Sequence, residues 1–445
     1  MPRLSTRRTF MQQTAAVGAA VWVGGSVRAD DRAANSRVRY ACIGVGGKGA
    51  SDSADCARFG DVVAICDIDD TALDKAASRE GFGKAAQYND FRKMLEEMGD
   101  RIDAVTVSTP DHCHAPAAAL AMKMGKACFV QKPLTHTIWE ARRLAEIARE
   151  MHVPTMMGNQ GTANNGLREA AQILKQKHLG DIHEVHVFTN RPVWPQGIGR
   201  PAETPNVPGS LNWDLWIGPA PMRPYHPIYH PFKWRGWRDF GTGALGDIGC
   251  HSFDRVFWAL KLNYPISVQG SYANPPLDWQ RQDIVETFPT GSRIVYEFPA
   301  RDDMPPVKIC WYDGGLMPDV PEEMEEGRKL SPEGGILFIG EKGKLLNGTQ
   351  LLPYSLMKEV KRPEKILPRI TMSHEMNWVH ACKTGEKACA DFDFSGPLTE
   401  MVLMGNLSLY YPGQKIRWDG QAMQAVNLPE ANQYVKHLYR EGWSL

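Results

Sequence analysis

Net charge is what this 445-residue chain lacks first: 51 basic side chains meet 51 acidic ones. A nucleic-acid binder needs a basic surplus to neutralise phosphates, and no Lys/Arg block supplies one locally. No segment is apolar over the roughly 20 residues that spanning a bilayer takes. Internal repeats are absent, and low complexity is confined to the N-terminal stretch, which excludes a solenoid. No CxxC occurs, and the nine cysteines (42, 56, 66, 113, 128, 250, 310, 382 and 389) are odd in number. Several sit inside apolar runs, so they read as buried free thiols of a chain folded in a reducing compartment, not as disulfides or metal ligands. What is present is ordinary globular composition, 43% hydrophobic and 23% charged, which excludes wholesale disorder. At roughly 150 residues per domain the length predicts two or three domains.

Residues 1–29 read as an address. Thr6-Arg7-Arg8-Thr9-Phe10-Met11 resembles the twin-arginine export motif, a weakly apolar stretch follows over 14–27, and Val27-Arg28-Ala29 offers a small-residue cleavage site. That route carries proteins already folded, in keeping with the cytosolic style of the cysteines.

Residues 37–158 read as a nucleotide-binding half. A buried strand over 38–43 runs into Gly44-Val45-Gly46-Gly47-Lys48-Gly49, a helix is expected over 50–59, and a second strand over 62–66 ends in Asp67. The glycines Gly44, Gly46, Gly47 and Gly49 permit a tight turn, close approach to a pyrophosphate, and close helix–strand packing. The helix N-terminus adds partial positive charge and free N–H groups. Asp67 suits ribose hydroxyls and would repel a 2′-phosphate, which favours NAD over NADP. The alternative phosphate loop fails, because Lys48 is followed by Gly49 and not by Ser or Thr. Further strands over 104–108, 127–130 and 154–157 alternate with helices over 116–124 and 138–150, the pattern of a parallel sheet. Ligands of such sheets bind beyond the strands' carboxyl ends, where the glycine turn, Asp67, the loop 109–114 and Lys132 all fall.

Ser108-Thr109-Pro110-Asp111-His112-Cys113-His114, followed by Gly125-Lys126 and Lys132-Pro133, resembles the glucose–fructose oxidoreductase / inositol dehydrogenase / MocA (Gfo/Idh/MocA) family. Gln131 stands where the family has Glu, so Lys132 keeps its place without the neighbouring negative charge. The resemblance implies an α/β Rossmann domain, then an α+β domain over 159–445 with a large, mostly antiparallel open sheet. It also implies a bound nicotinamide cofactor contacted by Thr109, Pro110, His114 and Lys132, and a homo-oligomer, dimer or tetramer.

In the second half a strand is expected over 180–191. The Pro- and aromatic-rich stretch 192–240 reads as a long loop over the cleft or between subunits. Indole faces suit the C–H faces of sugars, and the same rings are equally suited to burying one another. Asp247 and His251, four apart after a Gly-rich turn, share one face near the start of a helix with apolar spacing from Phe253. The family carries an Asp-x-x-x-His there. Strands are expected over 293–298 and 308–312, with a hairpin of 336–339 and 344–346. His374-Glu375 is not a zincin motif, since position 378 is Trp. His112, Cys113 and His114 lie too close together in one loop to converge on a metal, so no metal is expected.

By that resemblance Lys132, Asp247 and His251 oxidise a CH–OH group of a sugar, polyol or glycoside. His251 accepts the hydroxyl proton, Asp247 orients it or binds a neighbouring hydroxyl, and Lys132 polarises the oxygen; Asn159, Arg191 and Trp194 are candidate substrate contacts. Outside the cytoplasm there is no NAD(H) pool, so an exported enzyme must keep its nucleotide and restore it every cycle. Coupled sugar oxidoreduction does this, as does redox-assisted glycoside cleavage by oxidation, elimination and re-reduction. A non-catalytic NAD-binding sugar sensor would not need all three residues.

Overall fold

Six short runs, the central ones buried along nearly their whole length, build the first sheet of this computed structural model, which describes residues 37–274, 286–360 and 364–445. The export signal expected over 1–29 lies outside the described residues. The strands are β1 (Arg39–Ile43), β2 (Asp61–Cys66), β3 (Ala86–Tyr88), β4 (Ala104–Val107), β5 (Ala127–Val130) and β6 (Thr155–Met157). All pair in parallel, in the order β3-β2-β1-β4-β5-β6. Parallel pairing needs helical crossovers that cover both faces, which is why these strands are continuous apolar runs and not alternating ones. Among the crossovers, the helix Ile138–Met151 begins at a capping box in which Thr137 and Glu140 satisfy each other's backbone N–H groups.

The second sheet has nine strands: β7 (Ile182–Thr189), β8 (Ser267–Ala273), β9 (Gly291–Phe298), β10 (Val307–Tyr312), β11 (Gly334–Gly340), β12 (Lys344–Leu346), β13 (Gln350–Leu352), β14 (Lys415–Asp419) and β15 (Gln424–Ala425). Their order is β13-β12-β11-β7-β10-β9-β8-β14-β15, antiparallel throughout except between β7 and β10. This is the expected class: a Rossmann-type parallel sheet, then a mostly antiparallel one. The hairpin of β11 and β12 is present, with Ile339 opposite Lys344.

One expectation changes. The helix read from Phe253 begins ten residues earlier and spans Gly243–Ala259, so Asp247 and His251 lie within it. Its glycines are there for contact: a Cβ on Gly249 would press on Leu245, Phe253 and Val402 at 3.1–3.4 Å. The end of the chain also packs against the nucleotide half. The helix Phe392–Ser408 returns to pack on Ile138–Met151, and Phe392 N donates to Thr155 Oγ1 at 3.1 Å. Trp378, in the helix His374–Thr384, packs against Tyr40 of β1 and Phe129 of β5, with ring centroids 5.2 and 5.4 Å away. The nucleotide half is completed by the chain's last quarter.

All nine cysteines are free thiols, and all but Cys389 are buried. Among the described residues no helix is long and apolar enough to cross a membrane. Because Trp378 is 4% exposed and faces the first sheet from the far end of the chain, Trp378→Ala should cost about 3 kcal/mol. Urea unfolding followed by intrinsic fluorescence should show one transition at lower denaturant; an unchanged midpoint would mean the sheet does not depend on that helix.

Candidate active site

A tight turn is required where β1 meets the helix Gly47–Phe59, and two glycines make it possible. Gly44 has φ +79°, and a Cβ there would lie 2.6 Å from Ser108 O at the end of β4. A Cβ on Gly49 would run into Gly44 O, so this third glycine serves helix–strand packing behind the turn. Gly47, at φ +47°, has nothing within 4 Å of where its Cβ would be. The open space over a helix N-terminus is the cradle that a pyrophosphate fills. Val45 N and Gly46 N donate to Asp67 Oδ2 at 2.9 and 3.2 Å, and Asp69 N to Oδ1 at 3.1 Å. Burial raises the Asp67 carboxyl above its ordinary value, with these N–H bonds opposing. Asp67 therefore braces the turn and lines the cleft at once. The residues present fit a dinucleotide.

The cleft, of about 760 Å³, runs from Gly44, Gly46 and Gly47, past Thr109 and Pro110, to Lys132, Asp247 and His251. Lys132, at the carboxyl end of β5, donates from Nζ to Asp247 Oδ1 at 2.6 Å and to Asp247 O at 2.7 Å. Arg235 Nε lies 3.4 Å from the same Oδ1. Burial alone would raise Asp247, yet Lys132, by charge and hydrogen bond, and then Arg235 bring it below the ordinary carboxylate value. Burial, and next the Lys132 charge, push His251 down to about 4, Asp247 opposing. Burial raises Asp111, which accepts from Thr242 Oγ1 at 2.6 Å, to about 7. Asp247 thus holds Lys132 through Oδ1 and its backbone carbonyl, and it shares a helix face with His251 four residues on.

Several expected contacts do not reach the cleft. His114 is buried with Nδ1 2.8 Å from Pro133 O and Nε2 2.9 Å from Thr109 O, between the Lys132 and Thr109 loops and outside the cleft lining. His112 similarly sits between Phe240 O and Trp216 O, at 3.1 and 3.0 Å. Asn159 is fully buried and donates to Cys250 O and Asp254 Oδ2. Trp194 is buried with its Nε1 donating to Gln196, and Arg191, in the loop after β7, is not part of the cleft wall. A metal-like trio, Glu184, His186 and Cys310, forms elsewhere, on the second sheet, where Lys308 Nζ lies 2.9 Å from Glu184.

The aromatic stretch both covers the cleft and packs on itself. Trp213 and Trp216 stack at 4.6 Å, Trp216 meets Phe240 at 4.7 Å, and Asn212 N donates to Ile68 O beyond β2. Trp216, Phe232, Trp234 and Arg235 line the cleft, as does Trp443 from near the C-terminus. Arg235 and Trp443 were not foreseen; an Arg among tryptophans carries no spacing signal, and nothing in the sequence ties position 443 to a cleft.

Gln131 has a physical account. Its Nε2 donates to Asp52 Oδ2 at 2.8 Å, Ser108 Oγ donates to the same oxygen at 2.7 Å, and Lys48 Nζ reaches Asp52 Oδ1 at 2.7 Å. The carboxylate sits on the first helix, and the amide is its donor.

Such a cleft, glycine turn and Lys/Asp/His end define an NAD-binding oxidoreductase. Residues 38–159 match the family model described as an oxidoreductase family, NAD-binding Rossmann fold, and residues 182–303 match that family's C-terminal alpha/beta domain. The chain belongs to the Gfo/Idh/MocA oxidoreductase family. It is 28% identical over 177 residues to a D-xylose 1-dehydrogenase [NADP(+)] of Haloarcula marismortui, covering 38% of this chain and 49% of that protein. It is 35% identical over 127 residues to a glycosyl hydrolase family 109 protein of Shewanella pealeana, covering 27% and 28%. The match thus spans half or less of these curated relatives. The WlbA dehydrogenase from Bordetella pertussis, solved with NADH and UDP-GlcNAcA, superposes with a TM-score of 0.57 at 18% identity over 86% of this chain and 99% of that one, a likeness of fold.

Gln131→Glu would set two buried carboxylates against each other. It should cost about 2–3 kcal/mol by thermal or urea unfolding, and Asp52→Asn in the same chain should restore most of it. Equal stability of Gln131→Glu and the parent would remove the pairing as a constraint.

Proposed function

We propose that this protein is an oxidoreductase that retains NAD and oxidises a CH–OH group of a sugar, polyol or glycoside. The observation that carries the reading is that Lys132, Asp247 and His251 meet in the cleft that begins at the glycine turn. NAD held there supplies the hydride acceptor. Asp67, beside Asp69 in the cleft wall, disfavours the 2′-phosphate of NADP. His251, neutral through the physiological range, accepts the hydroxyl proton. Two of the Lys132 N–H bonds are taken by Asp247, which aims the remaining one at the substrate oxygen. The Arg7-Arg8 motif supports export of the folded chain with its nucleotide, and the family resemblance supports a homo-oligomer. Similarity to a glycosyl hydrolase family 109 protein over 127 residues favours a second reading: transient oxidation of a glycoside, loss of its leaving group and re-reduction.

Protein purified without added nucleotide and then denatured should release NAD, not NADP, by mass spectrometry; empty protein, or NADP, would overturn retention or the choice of nucleotide. A panel of sugars and glycosides, followed at 340 nm and by aglycone release, separates the two readings: net reduction by a sugar supports the first, and aglycone release without net change the second.

His251→Ala should lower the reduction rate by about 10²–10⁴-fold. A histidine accepts a proton only when neutral, and this one is pushed down to about 4. The parent's kcat/KM should therefore stay level from about pH 5 to 8 and fall below that as imidazolium forms. An inflection near the ordinary histidine value would remove His251 as the acceptor.

A further inference from the structure

We propose that Arg235 forms a carboxylate-binding subsite in the cleft, so that the carbohydrate taken there is an acidic one, a uronate and not a neutral sugar. The inference rests on the reading that carbohydrate binds beside Lys132.

Arg235 lies in the short turn Lys233–Gly236, within the aromatic stretch. Its guanidinium is stacked over the rings of Trp234 and Phe232, with the carbon 4.3 and 4.6 Å from their centroids. Nη1 donates to Phe232 O at 3.2 Å, and Nε faces Asp247 at 3.4 Å. Nη2 makes no hydrogen bond among the described residues, and the side chain forms part of the cleft wall. The group is thus fixed in orientation with one edge open. Its backbone is pinned as well, since a Cβ on Gly241 would lie 2.6 Å from Arg235 Cα.

At the Lys132 end of the cleft the charge does not balance, although Asp67, Asp69 and Asp90 line its other end. Asp247 is one anion facing two cations, and Lys132 holds it at 2.6 Å against the looser 3.4 Å of Arg235. Asp111, the next carboxyl, is buried and titrates near neutrality, so it offsets only part of the surplus. In a partly desolvated cleft an unbalanced guanidinium attracts an anion far more strongly than it would in water. Its planar fork matches a carboxylate with two parallel N–H bonds, which a spherical ammonium cannot do. Arg235 is also placed at the Lys132 end of the cleft, because its partner is Asp247 and not a residue of the glycine turn. Trp216 and Trp234 line the same cleft.

The test is calorimetric binding to the purified protein carrying its nucleotide. Glucuronate, galacturonate and mannuronate are compared with glucose, galactose and mannose, with glucose 6-phosphate as a phosphate-bearing control. At least one uronate should bind about tenfold or more tighter than its neutral counterpart, with the advantage shrinking as salt rises. Arg235→Gln should abolish that ratio, and Arg235→Lys should keep part of it. Equal binding of acid and neutral sugar, no binding of any uronate, a ratio that survives Arg235→Gln, or tighter binding of the phosphate ester would each overturn the proposal. Salt dependence in the parent protein decides the matter even where a variant folds poorly. Absorbance at 340 nm is read in the same titration. Arg235-dependent uronate binding with no spectral change from any ligand would leave the subsite standing and bring down the oxidoreductase reading alone.

Discussion

One ion pair sets the terms for the rest of the site. Lys132 leaves the first sheet and Asp247 sits on a helix against the second, and their side chains meet at 2.6 Å with each less than a fifth exposed. Two charges withdrawn from water repel their own burial unless each finds the other, so the pair is satisfied only while the two halves keep their registration. Its field then governs its neighbours. Lys132 is among the reasons that His251 stays neutral, and Asp247 keeps the ammonium from occupying the cleft as a free cation.

Holding that registration takes structure far from the site. The histidines of the loop after β4 serve it: His114 joins the Thr109 and Pro133 backbones, and His112 reaches across to the carbonyls of Trp216 and Phe240. Burial lowers both rings to about 4, so each is a neutral imidazole that donates its one N–H to a backbone carbonyl while its other nitrogen lies beside a second, and the ring is wedged between two segments. The aromatic stretch is thereby tied to the nucleotide half at its base, while its outer rings pack on each other. A cleft wall built this way keeps its shape without belonging to either sheet.

How much of this was legible in the sequence depends on which residues carried a local rule. The glycine turn, the buried parallel strands and Asp67 are fixed by sterics over a few neighbouring positions, so they read directly. Asp247 and His251 read through spacing, and their helix start was missed because Gly243, Gly246 and Gly249 look like a turn until Val402 and Phe253 are seen packing against them. The helix Phe392–Ser408 gave no periodic signal because it is buried almost all round and contains Pro397. Position in the chain points to Asn159, Trp194 and His114 as ligand contacts, but the ring nitrogens of Trp194 and His114 and the Asn159 amide NH2 all face local backbone or side chains, and only Asn159 Oδ1 lacks a partner among the three. Arg235 could not be found, since what defines it is a contact with a residue twelve positions on and with rings whose arrangement no pattern predicts.

Gln131 shows why a motif is better read in space than along the chain. The charge that the resemblance places beside Lys132 is absent from the strand, yet a carboxylate stands 2.8 Å from the Gln131 amide, contributed by Asp52 from the helix after the glycine turn. Asp52 also accepts from Ser108 and Lys48, so one buried anion links the ends of β4 and β5 to the phosphate-facing turn. A glutamate at 131 would put two carboxylates into that space, whereas an amide donates into it. Where the negative charge resides therefore decides which residue is tolerated next to the lysine. The electrostatic requirement belongs to the junction of turn, strand and lysine, and more than one residue pattern meets it.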